Sequence, residues 1–278
     1  MSDSPTTDLE PDPAMPPEAA RYVAETARRA KAIDWSGYRV WRDTAYGPAL
    51  HQRLDVIAPQ DEPASALPLF VYIHGGGWTH GDKDWMSFMA PAITALPAVF
   101  VSPGYGLAPN HTHPTPIEDC LAALAHVRAH AADYGADPDR IYLGGHSVGG
   151  HIASMIALRP GLLDKYEIPA KSIRACIPVS GLFRVVGDDP TAAGDLDDAS
   201  PTHWASQAAI PFYVSYGEND YGRIVEENAE FIAALKQTGV ALKVDALAGL
   251  DHYTANLSHA DPGSTWYRAV AELVRKTS

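Results

Sequence analysis

One short segment of the sequence carries a serine that could act as a nucleophile. Ser147 is the central residue of Gly145-His146-Ser147-Val148-Gly149, which joins a predicted strand to a predicted helix. A glycine-flanked serine at such a junction is forced into strained backbone geometry, and its hydroxyl is exposed at the positive end of the helix. The segment therefore predicts acyl transfer through Ser147, with an ordinary glycine-rich turn as the alternative.

A glycine run could supply the second part of this chemistry. The sequence HGGGW occupies 74–78, directly after an apolar strand predicted over 68–73. Glycines let backbone N–H groups point at a developing oxyanion without obstruction, and we predict an oxyanion hole formed by Gly76, Gly77 and Val148. A phosphate-binding loop is the alternative, but the run lacks the G-K-[ST] and G-x-G-x-x-G patterns.

A serine nucleophile also needs a base and an acid that orients the base. His252 follows the last predicted strand, from which it could return to the serine, and His259 is the reserve candidate. Asp220 lies in the loop after a strand predicted over 211–216 and is the predicted acid, with Glu218 as its competitor.

Large side chains lie in loops or helix starts near the expected mouth of the site. They could line a pocket that tolerates aromatic groups, or they could pack in the core. These candidates are Trp78, Trp85, Met86, Met89, Tyr221 and Tyr253.

Twelve histidines raise the alternative of a metal site, for which His74, His80, His111 and His113 are the candidates. No H-E-x-x-H or paired C-x-x-C motif supports it, so we expect no metal or other cofactor. His74 is better explained as a structural brace for the glycine loop.

Strand and helix patterns alternate along most of the chain. This alternation predicts a mostly parallel sheet with helices on both faces. Residues 1–17 are rich in Pro, Asp, Ser and Thr and are expected to be a mobile arm, whereas 18–278 are expected to form a single domain. A helix predicted over 17–33 could pack over the active-site mouth or decorate an edge. The acidic stretch 184–201 could be a lid or a solvated surface loop.

The bulk composition narrows the classes of partner. A net charge of −13 disfavours binding to nucleic acid or anionic membranes. The N-terminus lacks the apolar core of a secretory signal and no apolar run is long enough to cross a bilayer, so we expect a cytoplasmic protein. The substrate class is a small-molecule ester or amide, and the sequence leaves a homodimer open.

At these motifs the chain resembles the esterase side of the α/β-hydrolases, near the hormone-sensitive-lipase-like and kynurenine-formamidase-like branches. HGGGW matches the HGGG and HGGxW forms of these branches, GHSVGGH is similar to GHSAGGH, and GEND at 217–220 resembles the loop that carries the triad acid. YGLAP at 105–109 resembles Y-R-L-A-P, with Gly106 in place of the customary arginine. By this resemblance Asp119 has a structural role.

The resemblance, which covers 67–278, implies an α/β-hydrolase fold with a short N-terminal helical segment and no large cap domain. It implies a serine carboxylic-ester hydrolase that acts on a small or aromatic ester through an acyl-enzyme. An arylformamidase or amidase that cleaves a C–N bond with the same triad is the first alternative. A non-catalytic hydrolase-fold protein that binds a small ligand is the alternative from a different class.

Overall fold

The structure is a computed structural model that describes residues 15–61 and 66–276. The mobile arm predicted over 1–17 therefore lies almost entirely outside the described residues. The described strands are β1 Tyr38–Ala45, β2 Arg53–Pro59, β3 Leu67–Ile73, β4 Val99–Pro103, β5 Ala136–His146, β6 Ile173–Val179, β7 Phe212–Gly217 and β8 Leu242–Leu247. The described α-helices are α1 Pro17–Lys31, α2 Ala90–Thr94, α3 Thr115–Ala129, α4 Ala131–Tyr134, α5 Val148–Leu158, α6 Pro160–Asp164, α7 Pro201–Trp204, α8 Gly222–Lys236, α9 His252–Leu257 and α10 Thr265–Lys276.

The eight strands form one sheet in the order β1-β2-β4-β3-β5-β6-β7-β8. β1 and β2 are antiparallel to each other, and β2 is antiparallel to β4. From β4 to β8 every pairing is parallel. The predicted mostly parallel sheet of an α/β-hydrolase fold is confirmed.

The central strands divide their side chains between two apolar layers. On β3, Leu69 and Val71 pack with α3 and α5 on one face, and Phe70 and Tyr72 pack with α2 and α10 on the other. This division follows from the two-residue period of a strand. Because both faces are covered, the strand sequence is continuously apolar, as expected for a buried parallel sheet.

One predicted helix takes a different form. The sequence predicts a single helix over 84–96, but the structure has a 3₁₀-helix, Lys83–Met89, followed by the short α2. A continuous α-helix would place Pro91 in its interior, where proline lacks the N–H that the helix needs. Pro91 instead occupies the first turn of α2, where proline is tolerated.

Helix α1 packs against the 3₁₀-helix Lys83–Met89 and against α9. It therefore lies over the end of the sheet at which β5 and β8 lead into their helices, rather than along a sheet edge. Across 15–61 and 66–276, no helix combines the length and apolarity needed to span a bilayer.

Candidate active site

The segment around Ser147 forms a sharp turn between β5 and α5. Ser147 has φ 56° and ψ −121°, a strained conformation for a residue with a side chain. Its N–H donates to the backbone oxygen of Val179 on β6 at 2.9 Å. A Cβ on Gly145 would lie 2.4 Å from the carbonyl carbon of Gly149, and a Cβ on Gly149 would lie 2.0 Å from the oxygen of Ile73. Both glycines are therefore needed for the turn to close.

Two side chains continue a hydrogen-bonded chain from the Ser147 hydroxyl. His252 Nε2 lies 3.1 Å from Ser147 Oγ, and His252 Nδ1 lies 2.8 Å from Asp220 Oδ1. The Asp220 side chain is fully buried and Ser147 is 6% exposed. When Nδ1–H donates to the carboxylate, Nε2 is the acceptor that faces the serine. The structure thus brings together the three residues predicted as nucleophile, base and acid.

The ends of the last two strands position the acid and the base. Asp220 lies just after β7, and His252 is the first residue of α9, which follows β8. Asp251 caps α9 by accepting hydrogen bonds from the N–H groups of Tyr253 and Thr254 at 3.1 and 2.8 Å. Because β5, β7 and β8 are parallel, their carboxyl ends meet at one edge of the sheet, which is where ligands bind in open α/β folds.

Opposing effects set the pKa of Asp220. Burial raises it, but the hydrogen bond and charge of His252, the Ser180 hydroxyl and the N–H of Tyr221 lower it, and the net pKa lies below the ordinary value. Asp220 is therefore ionised at neutral pH and can hold the imidazole by its Nδ1–H.

The HGGGW loop lies directly beside the serine. A Cβ on Gly75 would lie 3.0 Å from Ser147 Cβ, and one on Gly76 would lie 2.0 Å from the backbone oxygen of His80. Gly76 and Gly77 have φ values of 128° and 60°, which favour glycine. Val148 is the first residue of α5, so its N–H has no partner within the helix. Gly76 and Gly77 line the same cavity as Ser147, and Val148 follows Ser147 directly in the chain.

His74 braces this loop, as predicted. Its Nδ1 donates to the backbone oxygen of Gly75 at 2.8 Å, and its ring stacks on Tyr105 at 4.2 Å. The Tyr105 hydroxyl in turn donates to the backbone oxygen of His74 at 2.9 Å. Burial lowers the pKa of His74 to about 4, so the ring is neutral at pH 7.

A cavity of about 280 Å³ opens onto Ser147 and His252. Of the predicted pocket residues, Trp85 and Tyr253 line it. The prediction is wrong for Trp78, Met86 and Met89, whose side chains are buried in the core. Trp78 has a φ of 61°, and its ring packs edge-on against His151. Tyr221 is 47% exposed, and its ring lies 5.1 Å from that of His252, outside the cavity lining.

Sequence reasoning missed one wall of this cavity. Part of the cavity that contains Ser147 is lined by α1 and the residues before it, through Met15, Pro16, Ala19 and Tyr22. Of the two placements considered for this helix, the one over the mouth is correct. The amphipathic pattern of α1 shows that one face is buried, but it carries no information on which surface covers that face.

His146, the residue before the serine, was also missed as a cavity residue. Its Nε2 donates to the backbone oxygen of His252 at 2.9 Å, and its ring lies 4.6 Å from the His252 ring. Burial, together with the charge of His252, lowers the pKa of His146 to about 3. A neutral His146 thus ties the nucleophile turn to the start of α9.

The reserve candidates lie elsewhere. His259 is buried against Trp266 and shares a hydrogen bond with the Tyr72 hydroxyl, rather than with Ser147. Glu218 accepts a hydrogen bond from the N–H of Gly249.

The four metal candidates do not form one cluster. His111 packs beside His51 with ring centroids 4.5 Å apart, and His113 lies 3.6 Å from Asp198. No three His, Cys, Asp or Glu side chains within the described part of the chain are grouped so that they could hold a metal ion.

The acidic stretch 184–201 is attached to the body of the protein. Asp189 forms an ion pair with Arg223 at 2.7 Å, and Asp198 pairs with Arg159 at 3.1 Å. These two acids are therefore paired and do not belong to a freely solvated loop.

Residues 70–205 match a family model described as an alpha/beta hydrolase fold. A crystal structure of esterase B from Lactobacillus rhamnosis superimposes with a TM-score of 0.77, at 19% identity, over 94% of this chain and 91% of that chain. At this identity the likeness concerns the fold alone. The sheet order, the serine turn and these matches show that the chain has an α/β-hydrolase fold.

Two curated relatives are similar to the chain in sequence. Esterase LipQ of Mycobacterium tuberculosis is 28% identical over 94% of this chain and 64% of LipQ. Kynurenine formamidase of Danio rerio is 25% identical over 76% of this chain and 74% of that protein. The chain spans 64% of LipQ and 54% and 55% of two further mycobacterial ester hydrolases. The predicted resemblance to the esterase side of the α/β-hydrolases is confirmed by these relatives.

Proposed function

We propose that the protein hydrolyses small carboxylic esters, with Ser147 as nucleophile, His252 as general base and Asp220 as the acid that orients it. The observation that carries this proposal is the continuous chain from Ser147 Oγ to His252 Nε2 at 3.1 Å and from His252 Nδ1 to Asp220 Oδ1 at 2.8 Å. Similarity to LipQ, a mycobacterial esterase, supports the reaction class.

The mechanism follows from these positions. His252 Nε2 takes the proton from Ser147 Oγ as the oxygen attacks the ester carbonyl, and Asp220 stabilises the imidazolium that forms. N–H groups of Gly76, Gly77 and Val148 bind the oxyanion, and each such donor contributes about 3 kcal/mol. His252 then protonates the leaving alkoxide, and a water molecule, deprotonated by the same nitrogen, releases the acid.

The cavity supports small substrates. Its volume of about 280 Å³ lies near the lower limit for small-molecule sites. The rings of Tyr22, Trp85 and Tyr253 form part of its wall, which suits an apolar or aromatic group. We expect acetyl and butyryl esters of aryl alcohols to be cleaved faster than long-chain esters.

Labelling with a fluorophosphonate probe tests the nucleophile. We expect the wild-type protein to be labelled and Ser147→Ala to remain unlabelled. Ser154→Ala is the matched control, since Ser154 is a buried serine on α5, the helix that follows Ser147, and does not line the cavity. A wild-type protein that folds but neither labels nor hydrolyses aryl acetates would contradict the proposal and favour a non-catalytic ligand-binding protein.

Cleavage of a C–N bond is the second candidate function, supported by the similarity to kynurenine formamidase and by HGGGW. The same triad serves both reactions, which differ in how strongly the leaving group needs a proton from His252. Comparing kcat/KM for a phenyl acetate with that for an N-formyl aryl amine of the same ring separates the two. We expect the ester to be preferred, and preference for the formamide would reverse the assignment.

A further inference from the structure

Ser180 has a backbone conformation that is rare for a residue with a side chain. It follows β6 directly, has φ 48° and is completely buried. Its N–H donates to the backbone oxygen of Ser215 on β7 at 2.8 Å, so the residue spans the end of two neighbouring strands. Glycine would adopt this conformation without strain. The presence of serine here calls for a reason that lies in its hydroxyl group.

Helix α8 holds the strained segment in place. The Glu227 carboxylate, which is 1% exposed, accepts hydrogen bonds from the N–H groups of Phe183 and Arg184 at 2.7 and 3.0 Å. Asn228 Nδ2 donates to the backbone oxygen of Gly181 at 3.0 Å. Strained residues persist where the surrounding structure over-determines them, and they concentrate at functional sites. Because α8 begins directly after Asp220 and Tyr221, the same helix positions Ser180 and the acid.

Two buried oxygens beside the proposed triad, Ser180 Oγ and Asp220 Oδ2, lack a hydrogen-bond partner among the described residues. Asp220 Oδ1 accepts from His252 Nδ1 and from the N–H of Tyr221, both at 2.8 Å. Oδ2 of the same carboxylate accepts from no donor among the described residues, and Ser180 Oγ likewise has no partner there. The Ser180 hydroxyl lies near enough to the Asp220 carboxylate to lower its pKa. Leaving both groups unpaired would be costly, and a hydroxyl rotates freely to pair them.

We propose that Ser180 is a positioning residue that donates a hydrogen bond to Asp220 Oδ2 and thereby keeps Oδ1 on His252 Nδ1. The proposal rests on the triad function of Ser147, His252 and Asp220. Ser180 touches no reacting atom and acts only through the carboxylate. Its contribution therefore depends on the presence of that carboxylate.

The experiment is a double-mutant cycle between Ser180→Gly and Asp220→Asn. Glycine removes the hydroxyl and tolerates the positive φ, so the fold is retained. The loss of a hydrogen bond to a charged group lowers kcat about 10- to 100-fold with KM little changed. In the Asp220→Asn background the same substitution changes the rate by less than about twofold. The rate of fluorophosphonate inactivation measures both backgrounds on one scale.

Ser215→Ala is the matched control, since Ser215 Oγ is also buried without a partner among residues 15–61 and 66–276 and is not one of the groups named as lowering the pKa of Asp220. We expect its kcat to equal that of the wild type. Ser180→Cys, with a weaker donor, should fall between wild type and Ser180→Gly, and Ser180→Ala replaces Ser180→Gly in the cycle if the glycine variant unfolds.

Two results overturn the positioning role: an unchanged kcat in Ser180→Gly, or an equal fold-loss in both backgrounds. The second result would mean that Ser180 acts on the fold rather than through Asp220. In either case a wild-type protein that is labelled at Ser147 leaves the proposed function intact. A folded wild-type protein that neither labels nor hydrolyses aryl acetates would contradict the proposed function, and with it the role of Ser180.

Discussion

The Tyr22 hydroxyl on α1 accepts a 2.6 Å hydrogen bond from Nδ2 of Asn256 on α9. Asn256 Oδ1 in turn accepts from the Tyr72 hydroxyl on β3 at 2.8 Å, so the three residues link the N-terminal helix to the central sheet. All three side chains are buried. Because α9 begins with His252, this link also connects one wall of the cavity to the helix that positions His252 beside Ser147.

Tyr22→Phe should therefore destabilise the protein while leaving the cavity wall in place. The substitution leaves Asn256 Nδ2 without its oxygen partner, and a buried unsatisfied donor costs about 1–3 kcal/mol. We expect the free energy of unfolding in urea to fall by this amount, with kcat/KM for an aryl acetate within about threefold of the wild type. Tyr267→Phe, at a half-buried residue of α10, is the control and should change little. If Tyr22→Phe and Tyr267→Phe lower the free energy of unfolding equally, the hydrogen bond between Tyr22 and Asn256 does not stabilise the protein.

Asp220→Asn should remove most of the activity and little of the stability. The amide can bind the wrong tautomer of His252, and the corresponding change in a serine protease lowers kcat about 10⁴-fold. We expect a loss of about 10³- to 10⁴-fold in kcat for an aryl acetate, measured beside thermal unfolding.

Asp251→Asn is the matched control for this prediction, because Asp251 neighbours His252 in sequence but caps α9. Asparagine is also a good N-cap, so the stability should change by less than about 1 kcal/mol and kcat should stay close to the wild-type value. A large loss of kcat in Asp251→Asn with an active Asp220→Asn would reverse the roles of the two acids.

The order and spacing of the three proposed triad residues were predictable because the carboxyl ends of parallel strands meet at one edge of the sheet. Ser147, Asp220 and His252 each follow such a strand, so local patterns placed them together without knowledge of the packing. The pocket was less predictable. Trp78, Trp85 and Met86 are all large apolar residues in the same stretch of sequence, but only Trp85 lines the cavity. Which of these side chains faces the cavity depends on the backbone at Trp78 and on the packing of the 3₁₀-helix, and neither can be read from residue types.

The residues that could not be predicted from the sequence, Tyr22 and Ser180, owe their positions to contacts between segments that are distant in the chain. Tyr22 reaches the cavity only because α1 packs on α9, more than 200 residues along the chain. Ser180 carries no motif, and its proximity to Asp220 depends on the pairing of β6 with β7 and on the attachment of the following segment to α8. Local periodicity and spacing describe neither relationship.

The buried histidines should make the protein acid-labile. Burial lowers the pKa of His74 and His151 to about 4, and burial with the charge of His252 lowers that of His146 to about 3, from 6.5. Since the unfolded chain binds these protons first, the stability is complete above about pH 6.5 and is lost as the pH falls towards 4. In this pH range each of these histidines lowers the free energy of unfolding by about 1 kcal/mol for each unit by which the pH falls. Burial raises the pKa of Asp55 and Asp82, which acts in the opposite direction.

The measurement for this prediction is the free energy of unfolding in urea at several pH values between about 7 and 5. Because other groups contribute, the comparison is between variants. His151→Gln keeps a donor for the backbone oxygen of Leu182, which His151 Nδ1 contacts at 3.0 Å, and should lower the pH dependence by the share of one histidine. His130 is exposed, so His130→Gln should leave the pH dependence of the free energy of unfolding unchanged. Identical pH dependence in His151→Gln and the wild type would contradict the assignment.

His111 occupies the space that a side chain on Gly106 would need. Gly106 stands where the families that this chain resembles have an arginine. A Cβ on Gly106 would lie 2.6 Å from His111 Cγ, and Gly106 has no positive φ, so the restriction is steric. Gly106→Ala should lower the free energy of unfolding by about 1–3 kcal/mol, and His111→Gly in the same chain should recover most of that loss. Gly161→Ala is the control, because a Cβ there meets nothing within 4 Å. If the double variant loses the sum of the free energies of unfolding that Gly106→Ala and His111→Gly lose singly, the two residues do not compete for this space.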